Sequence, residues 1–152
     1  MQFQQLNRSD TEKVYIVCQN VAGATLSAGA AVFFTNPITG SDADTTKVSG
    51  ARTSMGMLFA GVAPAAITDS SYGLVQVYGL ASAYVVLSDT AASAVPGDQM
   101  IAVNSQTYLV DFSAISTPTN QAQNFCTLMD YYSAVAGGNT TPVLRSVLVR
   151  AL

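Results

Sequence analysis

The sequence predicts an all-β protein: a compact β-sandwich or barrel, built from a duplicated β unit, with at most one short helix. Three observations carry this. Residues Gly73 to Leu87 (GLVQVYGLASAYVVL) form an apolar run with strand periodicity, Val75 and Val77 alternating with Gln76 and Tyr78. Short β-branched and aromatic runs recur along the chain, each bounded by Gly, Pro, Asn or Ser. The order of these runs in the first half returns in the second.

Taken in order, residues 1–11 read as an extended polar arm and residues 12–152 as one β domain. Glu12 to Val21 is the first strand, and its Val14-Tyr15-Ile16-Val17 run is too continuously apolar to face solvent. Ala22-Gly23-Ala24 turns the chain, and Leu26-Ser27-Ala28-Gly29 leads into a strand from Ala30 to Thr35, which Asn36-Pro37 stops. Thr39 to Thr53, rich in Gly, Ser, Thr and Asp and without an apolar pair, reads as a long exposed loop. Met55 to Val62 returns to strand, and Pro64 to Ile67 fits one short helical turn. Asp69 to Gly73 then delivers the central run, in which the lone Gly79 marks a bulge or corner between two strands.

Residues 112–141 admit two readings. Ala122, Phe125, Cys126, Met129 and Tyr132 fall at helical spacing, with Thr117 as N-cap and Gly137 as stop. The repeat favours a strand through Phe125 to Met129 instead, and a β-rich chain needs a partner there. Pro142 to Leu152 alternates at Val143, Arg145, Val147 and Val149 and reads as the last strand. The repeat places 14–80 against 83–152. Tyr15-Ile16-Val17 matches Tyr84-Val85-Val86, and Ser27-Ala28-Gly29 matches Val95-Pro96-Gly97. Ala30 to Phe34 matches Gln99 to Val103, Leu58 to Val62 matches Asn124 to Leu128, and Gly73 to Val77 matches Leu144 to Val149.

The composition limits what the chain does. Of 152 residues 49% are hydrophobic, yet only 10% are charged, against ~25% in ordinary soluble domains. A surface this poor in charge favours association, so partners are expected to cover much of it. Six basic residues and a net charge of −3 give no phosphate-tracking stripe, so no nucleic-acid partner is expected. The polar start has no signal-peptide core and no apolar run reaches the ~20 residues of a membrane helix, so synthesis in a cytoplasm and no membrane partner are expected.

The chain has no histidine, which removes Ser–His and Cys–His nucleophile activation and the commonest metal ligand. Eight of its nine carboxylates are Asp, mostly in turn-like settings where the side chain bonds local backbone. Asp42-Ala43-Asp44-Thr45-Thr46 has the spacing of an aspartyl phosphotransferase motif. It follows a turn, not a buried strand, so solvated loop carboxylates are the reading, with loop-bound Ca²⁺ the alternative. Asn139-Thr140-Thr141 and Gly137-Gly138-Asn139 read as plain turn sequence. Cys18 and Cys126 read as small buried hydrophobes in reduced form, with a disulfide between them the alternative. No enzyme activity, cofactor or metal is expected.

Several stretches carry a resemblance. They are Leu26 to Val32 and Val95 to Met100 (strands with a Gly step), the run from Gly61-Val62-Ala63 to Tyr72-Gly73-Leu74-Val75-Gln76-Val77-Tyr78-Gly79, and the ending Val147-Leu148-Val149-Arg150-Ala151-Leu152. Through them the chain, from about Val14 onward, resembles the small head-decoration (cement) proteins of tailed bacteriophages. The resemblance implies a compact β-rich structural protein, often trimeric, on the capsid exterior. There it would hold major capsid subunits together, after synthesis in the host bacterial cytoplasm. It carries no functional residue over by position. The residues themselves suggest the arm (Phe3, Leu6, Arg8) and the long loop (Asp42, Asp44, Lys47, Arg52) as the contact surface with the major capsid protein and with other copies of the chain. A phage tail or baseplate β module fits the composition as well. A glycan- or receptor-binding sandwich fits less well, since the chain has no Trp for an aromatic platform.

Overall fold

A computed structural model of the chain describes residues 12–35, 46–50, 59–87, 93–102, 106–111, 126–133 and 141–151. These form eleven strands and no helix: β1 (Val14–Asn20), β2 (Ala31–Phe34), β3 (Lys47–Ser49), β4 (Phe59–Val62), β5 (Tyr72–Val86), β6 (Ser93–Ala94), β7 (Gln99–Ala102), β8 (Leu109–Asp111), β9 (Cys126–Leu128), β10 (Tyr132–Ser133) and β11 (Val143–Arg150). The expected all-β fold is present, as barrel rather than open sandwich.

Backbone pairing closes the strands into two circuits. In the first, β1 runs parallel to β3, and β3–β2, β2–β4, β4–β5 and β5–β1 are antiparallel. In the second, β5 runs parallel to β8, and β8–β7, β7–β9, β9–β11 and β11–β5 are antiparallel. β5 belongs to both. Its Tyr72–Tyr78 half pairs with β1 and its Tyr78–Val85 half with β11. A closed circuit leaves no strand edge to recruit another chain, which such an uncharged sequence would otherwise invite.

The second circuit repeats the first pairing by pairing. Asn20↔Val48 has its counterpart in Val85↔Leu109, Phe33↔Ser49 in Ile101↔Val110, Ala31↔Val62 in Gln99↔Thr127, and Val17↔Leu74 in Ser82↔Ser146. The isolated bridge Leu26↔Ile67 corresponds to Ala94↔Tyr132 between β6 and β10. The turns before β2 and β7 agree as well. Gly29 N–H donates to Ala63 O and Ala63 N–H to Ala30 O, as Gly97 N–H donates to Leu128 O and Leu128 N–H to Asp98 O.

Each circuit has its own interior. The first is filled by Cys18, Val48, Val32, Ala60 and Val75, one side chain from each strand. The second holds Val85, Met100, Leu109, Leu128 and Val147. The two are joined because Ala31, Phe33, Phe59 and Val62, on β2 and β4, belong to the second cluster while their neighbours Val32 and Ala60 belong to the first. A bulge makes this possible: Val32 opposes Gly61 and Phe33 opposes Phe59, leaving Ala60 without a partner and sending Val62 to the other side. Phe33 and Phe59 meet edge to face, 6.0 Å between centroids.

Three sequence expectations need correction. β5 is one strand of 15 residues, not two strands joined at a corner. Gly79 sits inside it at φ 98°, and a Cβ there would run into the Glu12 carbonyl of the chain entering β1. The exposed loop expected over 39–53 contains β3, whose Val48 is fully buried; the rest of that stretch, apart from Thr46 and Gly50, lies outside the described residues. Pro64 to Ile67 makes no helical turn, because Ile67 is held extended by reciprocal backbone bonds with Leu26 of 3.0 and 2.9 Å. Of 112–141, the described part is strand at Cys126–Leu128 and Tyr132–Ser133, and Thr117 and Gly137 lie outside it.

Gly79→Ala should therefore cost more than ~2 kcal/mol, combining a left-handed backbone with a backbone clash. Gly97→Ala, also at positive φ but with open space around it, should cost only ~1 kcal/mol. Urea unfolding of the two variants checks the difference, and equal costs would contradict the close approach at Gly79.

Candidate functional site

The turns are fixed by side chains that bond backbone. Asn20, fully buried, donates from Nδ2 to the carbonyls of Ala24 and Ile67, both at 2.8 Å, and its Oδ1 accepts the Ala22 N–H at 2.9 Å. Asp69 accepts the Gly23 N–H at 2.9 Å, Asp98 the Val95 N–H at 2.7 Å and Asp130 the Ser146 N–H at 2.7 Å. Asp98 bonds its own turn, as expected of Asp in such settings, whereas Asp69 and Asp130 reach distant segments, the turn after β1 and strand β11. Arg145 lays its guanidinium over the buried Tyr132 ring, 4.4 Å from the centroid.

Of the contact residues suggested by the sequence, Lys47 alone is described. It is half-buried on β3, where its backbone carbonyl accepts the Thr35 N–H at 3.1 Å. Phe3, Leu6, Arg8, Asp42, Asp44 and Arg52 lie outside the described residues. Among the described residues no three Cys, Asp or Glu gather where they could hold a metal ion.

A cleft of about 260 Å³ opens between the circuits, lined by Lys13, Tyr15, Pro64, Gln76, Ser82 and Ser146 among others. Gln76 is buried, and its amide donates to the carbonyls of Tyr78 (3.2 Å) and Leu80 (3.0 Å), bracing β5 around Gly79. In a chain without histidine, the cleft's two serines have no imidazole to activate them. Its chemistry is that of a polar crevice.

A second feature is a surface. On the outer side of the first circuit β1 presents Tyr15 and Val17 and β5 presents Tyr72, Leu74 and Tyr78, with Val17 directly opposite Leu74. Val17 is 59% exposed, Tyr72 68% and Leu74 50%. This corrects the expectation that residues 14–17 are too apolar to face solvent. Ile16 packs inward, but Tyr15 and Val17 face out. The signal in the sequence was that Tyr15 and Val17, at alternate positions of β1, are as apolar as Ile16 and Cys18 between them, the first polar residue on the outer side being Gln19.

No protein-family model and no curated protein matches the chain. In fold it is similar to the N base of the head fiber gp8.5 of bacteriophage phi29, a crystal structure. The TM-score is 0.51 and the identity 9%, and the match covers 92% of this chain and 96% of that one. At that identity the likeness is one of fold, and over that coverage it takes in both circuits.

Cys18 and Cys126 are buried and form no disulfide, and they lie in separate interiors, one in each circuit's cluster. Burial pushes the Cys126 thiol far up. The folded chain then keeps that proton above pH ~8.5, where an unfolded thiol loses it, so stability falls as pH rises past that point by about 1.4 kcal/mol per unit. Urea unfolding at stepped pH should show a steeper alkaline loss for the wild type than for Cys126→Ala. Parallel slopes would contradict the buried neutral thiol.

Proposed function

We propose that this chain is a non-enzymatic structural protein of a bacteriophage virion, which binds the outside of the capsid and stabilises the mature shell. The observation that supports it most is the fold likeness, over nearly all of both chains, to a protein described as the base of a phage head fiber. The composition agrees. A surface with so little charge suits repeated contact with identical neighbours.

The mechanism is linkage. A protein that binds the mature lattice and not its precursor stabilises that lattice by its binding free energy, without any reaction. The partners are the major capsid protein and further copies of the chain, a trimer being the assembly that the cement-protein resemblance implies. The arm, through Phe3, Leu6 and Arg8, and the 42–52 segment, through Asp42, Asp44, Lys47 and Arg52, are the proposed capsid contacts. An arm adds affinity by raising effective concentration once the body has docked.

Co-sedimentation with capsids of the source phage tests the reading. The full chain should pellet with expanded shells and not with unexpanded ones, and should raise the temperature at which expanded shells come apart. Deleting residues 1–11 should weaken binding by ~10-fold or more. A chain that pellets with neither form would overturn the reading.

A further inference from the structure

The repeated architecture carries its own control, because each surface position of one circuit has a counterpart in the other. The pair Val17↔Leu74 on the first circuit's outer face corresponds to Ser82↔Ser146 on the second, and Gln19↔Tyr72 corresponds to Tyr84↔Leu144. The fold accepts serine at these positions, so it does not require valine and leucine there. The turn ends differ in the opposite sense. Val95, Met129 and Tyr131 beside the second circuit's turn correspond to Ser27, Pro64 and Ala66 beside the first. Among the described residues, eight of the eleven exposed large hydrophobics fall on these two patches, five on the first circuit's outer face and three at the second circuit's turn end.

Within the chain, the counterparts of these two patches already touch. The first circuit's turn end sits on the second circuit's outer face: Tyr84 N–H donates to Gly29 O at 2.8 Å, and Gly29 lies against the side chains of Tyr84 and Leu144. Pro64 lines the same cleft as Ser82 and Ser146. Around Gly97, at the other turn end, nothing lies within 4 Å of where a Cβ would be, and Val17, Tyr72 and Leu74 of the other outer face are exposed.

We propose that the Val95–Met129–Tyr131 turn end of one copy docks on the Tyr15–Val17–Tyr72–Leu74–Tyr78 face of the next, giving a heterologous, head-to-tail contact between copies of this chain. The contact matches the relation between the two circuits in its surfaces but not in its backbone bond, since Gln19 N–H, the counterpart of Tyr84 N–H, already donates to Thr46 O at 2.6 Å. The side chains that make up both patches are uncharged, while Asp98 and Asp130 flank the turn end and Arg150, opposite Tyr78, flanks the outer face, so apolar burial drives the contact with charges of opposite sign at its border. Taking ~200 Å² for a whole Tyr side chain, the outer face exposes roughly 400 Å², the size of patch that marks an interface on a monomer. The three turn-end side chains expose less, roughly 250 Å² by the same measure, so the contact reaches the ~1,000 Å² of a specific interface with a polar rim from both copies. Every copy offers one patch of each kind, so the contact propagates and closes into a ring when the rotation per copy allows. This deepens the self-association part of the proposed function and does not depend on capsid binding.

The test uses the full purified chain without capsids, by light scattering after size exclusion. The wild type should be oligomeric, and Leu74→Arg and Met129→Arg should each be monomeric, with association weakened at least ~10-fold. Mixed together, the two variants should form a dimer that neither forms alone, since each keeps the patch the other lacks. Circular dichroism and thermal melting of the monomers check folding, and Leu74→Ser, which copies Ser146, serves as the milder variant. A monomeric wild type would overturn the proposal, including the case where Leu74→Arg then loses capsid binding and assigns the face to the capsid. So would Met129→Arg assembling like the wild type while Leu74→Arg does not, the mark of a face-to-face dimer.

Discussion

Both barrels depend on a single strand. β5 supplies the last strand of one circuit and the first of the next, and it changes partners at Tyr78–Gly79. At that point the chain entering β1 crosses so closely that only glycine fits, and Ala151 N–H, at the end of β11, donates to Val77 O at 2.8 Å. The buried amide of Gln76 ties the backbone on either side of the crossing. The two described ends of the chain thus meet the middle of β5, and neither circuit closes without it.

Sharing a strand places the circuits side by side, and the β4 bulge then serves both interiors. Gly61, at φ 143° and against the Gln76 carbonyl, lets β4 shift by one residue so that Ala60 fills one core and Val62 the other. The same repetition explains the uneven surface. Where the cleft runs between the two circuits it includes Pro64, Ser82 and Ser146, while Tyr84 and Leu144 pack against the Gly29 turn. The outward-facing counterparts of Pro64, Ser82 and Ser146 are Met129, Val17 and Leu74.

Much of the fold was legible in the sequence. The alternation of Val75 and Val77 with Tyr78 marks the strand face correctly, because β5 is long enough for a period of two to stand out. The strands matched between the halves occupy equivalent places, although several matched residues are slipped in register, since short apolar strands resemble one another at several offsets. β3 was missed because three residues, with Val48 as the single buried one, carry no periodicity. The exposure of Val17 was missed because hydropathy assigns an apolar residue to an interior and cannot tell the chain's own core from a neighbour's. Gln76 was missed in the opposite sense: its polar side chain is buried because two backbone carbonyls satisfy it. Six of the seven suggested contact residues fall outside the described part of the chain, so the apolar face, which no polar motif announces, is where the structure adds most.

Copy number in the particle tests the central claim most directly. Quantitative mass spectrometry of purified virions from the source would compare this chain with the major capsid protein. A capsid-bound structural protein predicts a stoichiometry set by the lattice, with copies approaching the number of capsid subunits or a simple fraction fixed by its symmetry axes. A few copies per particle would move the chain to the tail or baseplate, and its absence from the virion would contradict the account.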